Sequence, residues 1–420
     1  MAEIARDAPE RMTAADGTPL KAALARAQGR ARRRAFLLVA PLLVFVLASF
    51  VIPIGQMLHR SVHNPVFSAN MPATTAWFGA NPVGTEPDEA AFAALAADLA
   101  AAAEARTIGA VGTRVNYEMQ GTRSLFTSAG RKADDLEAPF RAAMLDLDRR
   151  WGEPELWNTM RNVSSPYTAN FYLAAADRFR DLDGGISRVA PERQVYLTLF
   201  QRTFLLSALI TAICLLLGFP IAHLLATLPL RYSNLLMILV LLPFWTSLLV
   251  RTTAWMAILQ GQGVLNNALV ALGVIGDDGR IALMYNQAGT VIAMTHILLP
   301  FMVLPLYSVM RNINPSYVRA ARSLGASSWT AFRRVYVPQT LPGVGAGALL
   351  CFILAVGYYI TPALVGGASG QLISNLIAFH MQNSLNWSLA AALATLLLAA
   401  VLLLYWVYDR LVGVDNMKLG

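Results

Sequence analysis

Cysteine and lysine are scarce in this 420-residue chain, and each shortage argues against a class of site. The two cysteines, Cys214 and Cys351, lie inside apolar runs, so neither a disulfide framework nor a thiolate zinc site is indicated. None of the three lysines, Lys21, Lys132 and Lys418, stands in the G-x-x-x-x-G-K-[ST] frame of a phosphate-binding loop. We therefore expect no nucleotide hydrolysis by this chain.

Recognisable catalytic patterns are also missing. His59 and His63 are four residues apart, but they lack the glutamate of an H-E-x-x-H site and a third ligand. No serine of residues 55–201 stands in a G-x-S-x-G setting, and the acidic residues there are interleaved with arginines as on a solvated helix face. We therefore predict no catalytic residue, no metal site and no cofactor, and we interpret the chain as not an enzyme.

Charge is sparse as well, since Asp, Glu, Lys and Arg make up 14% of the chain while apolar residues make up 56%. This composition is typical of a membrane protein. The net charge of +8 comes from arginines that lie mostly beside apolar runs, so contact with membrane lipid explains it better than nucleic-acid binding does.

Six apolar runs approach the ~20 residues that a helix needs to cross about 30 Å of hydrocarbon. The first covers residues 35–54 after an arginine-rich N-terminus, and its length argues for a retained helix rather than a signal peptide. The other five cover residues 204–225, 235–259, 288–310, 343–363 and 389–407. The sequence therefore predicts an all-α, polytopic membrane protein with six transmembrane helices.

A long polar insert, residues 55–201, separates the first two spans. Helix-like spacing recurs at about 85–106, 134–151 and 166–183, so we predict a small helical domain. Long translocated segments are largely exempt from the charge rule that orients membrane proteins, so we expect the insert to be extracytoplasmic. The remaining parts are a five-helix core at 202–410 and cytoplasmic tails at 1–34 and 411–420.

A polar interval at residues 311–342 contains five arginines and no acidic residue. Asn314 can cap a first short helix, with Pro315 at its first position and a left-handed Gly325 at its end. A following serine can cap a second helix, which Pro338 is predicted to end. Basic residues favour the cytoplasmic side of a membrane, so we predict that this interval and both termini are cytoplasmic.

The sequence RAARSLGASSWTAFRRVYVPQTLPG at residues 319–343 resembles the cytoplasmic coupling loop of binding-protein-dependent ABC importer permeases. The family pattern begins Glu-Ala-Ala, and this chain differs there because Arg319 takes the position of the usual Glu. The resemblance implies that an ATPase contacts Arg319, Ala320, Ala321, Leu324, Gly325, Ala326, Phe332 and Pro338. The alternative is an ordinary cytoplasmic loop whose arginines only orient the protein in the membrane. That alternative leaves the Ala-Ala-Gly-Ala spacing unexplained.

Two further runs, GFPIAHLL at 218–225 and LLPFWTSLLVRTTAWM at 241–256, are similar to permeases of the spermidine/putrescine class. The similarity extends over about 196–410 and does not include the insert. It implies a type I importer fold and alternating access driven by two separate ATPase subunits. It also implies a second permease, homologous or identical, a solute-binding protein outside, a bacterial inner membrane, and a polyamine as the first choice of solute.

Five residues of the core are candidates for the solute pathway: Trp245, Arg251, Trp255, Tyr358 and Tyr359. A desolvated ammonium needs a carboxylate or an aromatic face, and the predicted spans of the core contain no acidic residue. Arg251 suits an anionic or zwitterionic solute better, and its alternative role is to reach the outer headgroups. Interfacial packing is the alternative role of the tryptophans.

Prolines and glycines interrupt the fourth and fifth predicted spans, as in helices that line cavities or move. His296 in the fourth span is interpreted as a buried, hydrogen-bonded histidine. Two other functions stay open. One is import of another small solute, such as an opine, an amino-acid derivative, thiamine or a ferric complex; the other is a membrane receptor or scaffold that works through the insert.

Overall fold

The computed structural model describes the backbone of residues 20–181 and 184–412, and the side chains of residues 28–181 and 184–410. The chain divides into two compact units, one that ends at His59 and one that begins at Arg60. Residues 1–19 and 413–420 of the predicted tails lie outside the described part of the chain.

The first unit contains one long helix. It runs over Leu20–Val46, widens into a π turn at Leu47–Val51 and continues as Ile52–Arg60. The stretch Gln28–Arg60 is long and apolar enough to cross a membrane, so the helix contains the span predicted at 35–54 and extends beyond both of its ends. The predicted N-terminal tail is helical from Leu20 because alanine and arginine favour helix.

The insert consists of short helices and one β-hairpin. Its α-helices are Val66–Asn70, Pro72–Ala80, Glu89–Glu104, Ile108–Asn116, Thr122–Gly130, Phe140–Leu147, Pro154–Ser164 and Asn170–Ala175. Its 3-10 turns are Ala133–Asp135, Arg149–Gly152 and Pro191–Arg193. Strands Arg178–Arg180 and Ile186–Arg188 pair antiparallel, with Phe179 opposite Ser187.

An apolar core of its own holds the insert together. Phe92, Leu95 and Leu99 are spaced three and four residues apart on the helix Glu89–Glu104, and all three are buried. The edge of Trp157 packs on Phe92 with 5.1 Å between the ring centroids. The insert therefore has the buried apolar face that a folded helical domain requires.

Parts of the insert differ from the sequence-based expectation. Residues 134–151 form short helical pieces separated by Pro139, since proline interrupts a helix. Residues 166–183 contain one short helix and then a strand, where Arg178, Phe179 and Arg180 alternate with the period of two typical of strands.

The two neighbouring histidines do not share a helix face. His59 lies on the helix Ile52–Arg60, whereas His63 follows that helix and pairs through its backbone with Tyr167. Within residues 20–181 and 184–412, no cluster of three or more His, Cys, Asp or Glu residues could hold a metal ion.

All regular secondary structure in the described part of the core is helical. Its α-helices are Tyr196–Thr227, Leu230–Leu241, Leu248–Leu259, Val264–Ala271, Gln287–Asn312, Pro315–Ser323, Ser328–Ala331, Val337–Gly357, Ile360–Val365, Gly367–Gly370, Ile373–Gln382 and Trp387–Val412. The 3-10 turns Leu242–Trp245 and Asp277–Gly279 and the π turn Phe332–Tyr336 complete it. Buried Leu298, Met302 and Cys351 fill the space where the second, fourth and fifth spans pack together.

The described part of the chain has five helices long and apolar enough to cross a membrane, or six when one bent pair counts as a single span. The bent pair is the third predicted span, 235–259, which is not a straight helix: Leu230–Trp245 and Leu248–Ala271 meet at 98°. Pro243 lacks an N–H, and Ser247 starts the new helix by accepting a hydrogen bond from Val250 N at 3.2 Å.

The fifth predicted span, 343–363, begins earlier and ends earlier than expected. Helix continues from Ser328 through the π turn to Gly357, so Pro338 does not end the second short helix. After the π turn this proline lies in the first turn of Val337–Gly357, where its missing N–H is tolerated.

The side chain of Asp177, next to the β-hairpin, caps the N-terminus of the second span. Its Oδ1 accepts hydrogen bonds from Val195 N and Tyr196 N at 3.1 and 3.2 Å, and its Oδ2 accepts one from Leu197 N at 2.8 Å. The first N–H groups of a helix have no partner within it, and a negative charge there is favourable. The buried carboxylate therefore attaches the insert to the core.

The substitution Asp177→Asn should destabilise this attachment. Asparagine keeps the size of the side chain and tolerates the left-handed φ of 52°, but it removes the charge and one acceptor oxygen. We expect a loss of about 1–2 kcal/mol, measured as a lower thermal unfolding midpoint of the purified full-length chain. Asp134→Asn on an exposed 3-10 turn is the control and should leave the midpoint unchanged.

Candidate functional site

The loop at residues 311–342 is built around a short helix, Pro315–Ser323. Asn314 caps it by accepting a hydrogen bond from Ser316 N at 2.9 Å, and Pro315 takes its first position, both as predicted. The next helix is capped by Ser327, which accepts from Thr330 N at 3.2 Å.

Gly325 ends the first short helix in the left-handed conformation, with a φ of 90°. Its N–H donates to Arg322 O at 3.0 Å, and Ala326 N donates to Ala321 O at 3.1 Å, the two bonds of a Schellman motif. The neighbouring Leu324 is 89% exposed. The loop therefore presents an apolar tip beside a turn that two backbone hydrogen bonds hold in place.

The other predicted contact residues surround this tip. Arg319, Ala320 and Pro338 are exposed, whereas Ala321 and Ala326 are half-buried beside the Schellman bonds. Phe332 is also half-buried and points away from the tip into a cluster of aromatic rings.

An aromatic stack connects the loop to the second span. Trp329, which is 66% exposed, stacks on Phe332 at 5.9 Å, and Phe332 stacks on Tyr336 at 5.5 Å. His223 of the second span meets the edges of Phe332 and Tyr336, and its Nδ1 lies 3.0 Å from the Tyr336 hydroxyl. Nearby, Arg311 donates to Ala226 O at 2.8 Å.

The stack borders a cavity of about 730 Å³ between the loop and the spans. Its walls include Met310, Ile313 and Val318, so it is mainly apolar. The π turn Phe332–Tyr336 lies at the same place, and π turns are frequent at functional sites. The cavity and the π turn therefore lie together at the junction of the loop and the second span.

His223 and Tyr336 were not predicted to be partners in this site. His223 lies in the run GFPIAHLL and Tyr336 in the loop, so the only signal in the sequence was a histidine and an aromatic residue near the polar ends of apolar runs. Their pairing depends on two helices that are distant in sequence.

The candidate pathway residues fall into two groups. Trp255 Nε1 donates to His296 Nδ1 at 3.1 Å, so the predicted hydrogen bond of His296 is present, but the predicted burial is wrong because the side chain is exposed. Arg251 lies one helical turn before Trp255 on the helix Leu248–Leu259. Its Nε is buried and has no partner among the described residues.

Trp245 and Tyr359 are more exposed. Trp245, 70% exposed, ends the 3-10 turn before the bend of the third span. Tyr358 and Tyr359 interrupt the helix after Gly357, where Ser374 Oγ and Asn375 Nδ2 donate to their carbonyl oxygens at 2.5 and 2.7 Å. The bend and this interruption face each other, since Thr252 and Thr361 are hydrogen-bonded at 3.1 Å.

Residues 203–413 match the family described as the binding-protein-dependent transport system inner membrane component. This chain belongs to that family. It is an ABC importer permease and a multi-pass membrane protein, that is, a transporter component rather than a catalytic enzyme. The resemblance found in the sequence is therefore confirmed.

Each of three similar permeases matches about half of this chain. This permease is 38% identical over 222 residues to the spermidine/putrescine transport system permease protein PotB of Escherichia coli K12, which covers 52% of this chain and 80% of that protein. It is 35% identical over 224 residues to PotB of Haemophilus influenzae, covering 53% and 78%. It is 30% identical over 214 residues to the molybdenum transport system permease protein ModB of Mycobacterium bovis, covering 51% and 77%.

Among solved structures, the permease is similar to a bacterial ABC transporter involved in the import of the acidic polysaccharide alginate. The sequences are 17% identical, the TM-score is 0.45, and the match covers 69% of this chain and 99% of that chain.

Tyr336→Phe should weaken the junction between loop and second span. The variant keeps the ring stack but removes the hydroxyl that pairs with His223, so we expect a loss of about 0.5–1.5 kcal/mol, read as a lower thermal midpoint. Tyr317→Phe, an exposed residue of the helix Pro315–Ser323, is the matched control. Equal midpoints for the two variants would contradict this role of the Tyr336 hydroxyl.

Proposed function

We propose that this permease is the membrane subunit of an ATP-driven importer and that the loop at 311–342 docks on a separate ATPase. The exposed Leu324 beside the left-handed Gly325 is the observation that supports this most directly. An apolar side chain held out on a rigid turn is favourable when a partner surface covers it. Because the chain has no phosphate-binding loop, ATP hydrolysis is assigned to that partner.

We place the loop and both termini in the cytoplasm and the insert on the opposite side. Arginines concentrate before the first span and in the docking loop, at Arg30, Arg32, Arg33, Arg34, Arg311, Arg319, Arg322, Arg333 and Arg334. The short loops assigned to the outside contain Arg280 as their basic residue. This distribution favours the same orientation for every segment.

The aromatic stack supplies a route for coupling. Movement of the tip pushes on Trp329 and Phe332, and through them on Tyr336 and His223 of the second span. Nucleotide shifts such an equilibrium only through its different affinity for the two states of the complex. By analogy with its family, the permease works with two ATPase subunits, a second permease and an extracytoplasmic solute-binding protein.

A polyamine is our first choice of solute. Two of the similar permeases belong to spermidine/putrescine transport systems, and the core offers Trp245, Trp255, Tyr358 and Tyr359 as aromatic faces for an ammonium group. Arg251 favours a second candidate, an anionic or zwitterionic solute, because its buried Nε lacks a hydrogen-bond acceptor.

Gly325→Asp should abolish co-purification of the ATPase and reduce solute uptake to background. The change strains a left-handed backbone position and places a charge at the apolar tip. Gly273→Asp is the matched control, because Gly273 also has a positive φ of 69° and open space around it but lies outside the docking loop. Retention of both the ATPase and uptake in Gly325→Asp would remove the coupling role.

Solute uptake into membrane vesicles that contain the complete transport system distinguishes the two candidate solutes. We expect ATP-dependent accumulation of labelled spermidine or putrescine, and at least partial activity in Arg251→Gln, because a fixed cation is not needed to bind an ammonium. If neither polyamine accumulates while an anionic solute does so only with Arg251 intact, the second candidate replaces the first.

A further inference from the structure

A buried arginine in the insert has donors without acceptors. Arg114, on the helix Ile108–Asn116, is 1% exposed. Its Nη1 donates to Glu118 Oε1 at 3.0 Å, and its guanidinium lies over the ring of Phe171 at 4.9 Å. Its Nε and Nη2 are buried and have no hydrogen-bond partner among the described residues. Leaving charged donors unpaired in a protein interior is unfavourable.

The two unpaired nitrogens form one edge of the guanidinium. The Nε–Nη2 edge can donate two parallel hydrogen bonds, a geometry that matches two oxygens of a carboxylate or a phosphate. Because Glu118 binds Nη1, it leaves that edge unoccupied. The geometry therefore indicates an oxyanion as the missing partner.

Arg114 borders a cavity of about 450 Å³ between the insert and the start of the sixth span. The cavity also contains Arg123, which is exposed at its surface, and no acidic residue lines it. The positive charges of Arg114 and Arg123 oppose the rise that burial causes in the pKa of Tyr117, so both charges act on one phenol. Arg123 is the exposed residue of this pair, and Arg114 forms part of the buried wall of the cavity.

Two hydrogen bonds join the insert to the core at this cavity. Tyr117 OH donates to Leu385 O at 3.0 Å, and Asn64 Nδ2 donates to Ser388 Oγ at 3.1 Å. Trp387, the first residue of the sixth span, lines the cavity and is 46% exposed. Tryptophan favours the membrane–water interface, and this preference is consistent with lipid headgroups near the cavity.

We propose that this cavity binds a phosphate group between Arg114 and Arg123. A carboxylate has two oxygens, which the edge of Arg114 would occupy, whereas a phosphate has further oxygens for Arg123. The source is a phospholipid headgroup or free phosphate. An occupied site links the helix Ile108–Asn116, the helix Thr122–Gly130 and the start of the sixth span. This role is separate from the proposed coupling and solute specificity.

The test uses the delipidated full-length chain in a maltoside detergent, which contains no phosphate. In one arm, inorganic phosphate is titrated and the thermal midpoint is followed, with acetate and with chloride of equal ionic strength as controls. In the other arm, native mass spectrometry measures retention of added phosphatidylglycerol, with diacylglycerol as the matched lipid that lacks a phosphate. Both arms compare the wild type with Arg114→Met, Arg123→Ala and Arg131→Ala.

We expect binding in at least one arm and a loss of about tenfold or more in Arg114→Met and Arg123→Ala. Arg131→Ala, an exposed arginine outside the cavity, should bind as the wild type does. An effect of free phosphate identifies a soluble ligand, and retention of phosphatidylglycerol alone identifies a lipid.

Three results would overturn the proposal. The first is no binding in either arm, which leaves internal water as the partner of Arg114. The second is binding that Arg123→Ala does not weaken, a result that can be obtained even if Arg114→Met does not fold. The third is an equal effect of acetate, chloride and phosphate.

Discussion

Hydrocarbon offers no hydrogen-bond partners to a peptide backbone, and this constraint determines where the core can depart from helix. The chain breaks its spans after Trp245 and after Gly357, and polar side chains satisfy the freed backbone groups at both places. Ser247 accepts at the first break, whereas Ser374 and Asn375 donate at the second. The breaks are therefore stable parts of the fold and can serve as hinges between rigid helices.

The second span, Tyr196–Thr227, connects the two functional ends of the molecule. At its start the Asp177 carboxylate holds it to the insert, and near its end His223 meets the aromatic stack of the docking loop. A helix of 32 residues is about 48 Å long, which exceeds the hydrocarbon thickness of a membrane. It packs against both the fourth and the fifth span.

Local rules succeeded where neighbours in sequence decide the structure. The cap at Asn314, the left-handed Gly325 and the long apolar spans depend on a few adjacent residues or on composition alone. They failed at Pro338, because a π turn upstream moved the proline into a first helical turn. The strand of Arg178–Arg180 was missed for a similar reason, since its partner strand lies beyond a turn.

By itself, the sequence determined that this protein is helical, spans a membrane and carries a basic loop with a capped helix and a left-handed glycine, because hydropathy, charge and turn chemistry act over short distances. Only the tertiary structure decided that His223 meets Tyr336, that the third span bends by 98°, and that Arg114 keeps two unpaired nitrogens beside Arg123. These features arise from residues far apart in the chain. Their contacts depend on how whole helices pack, which no local pattern encodes.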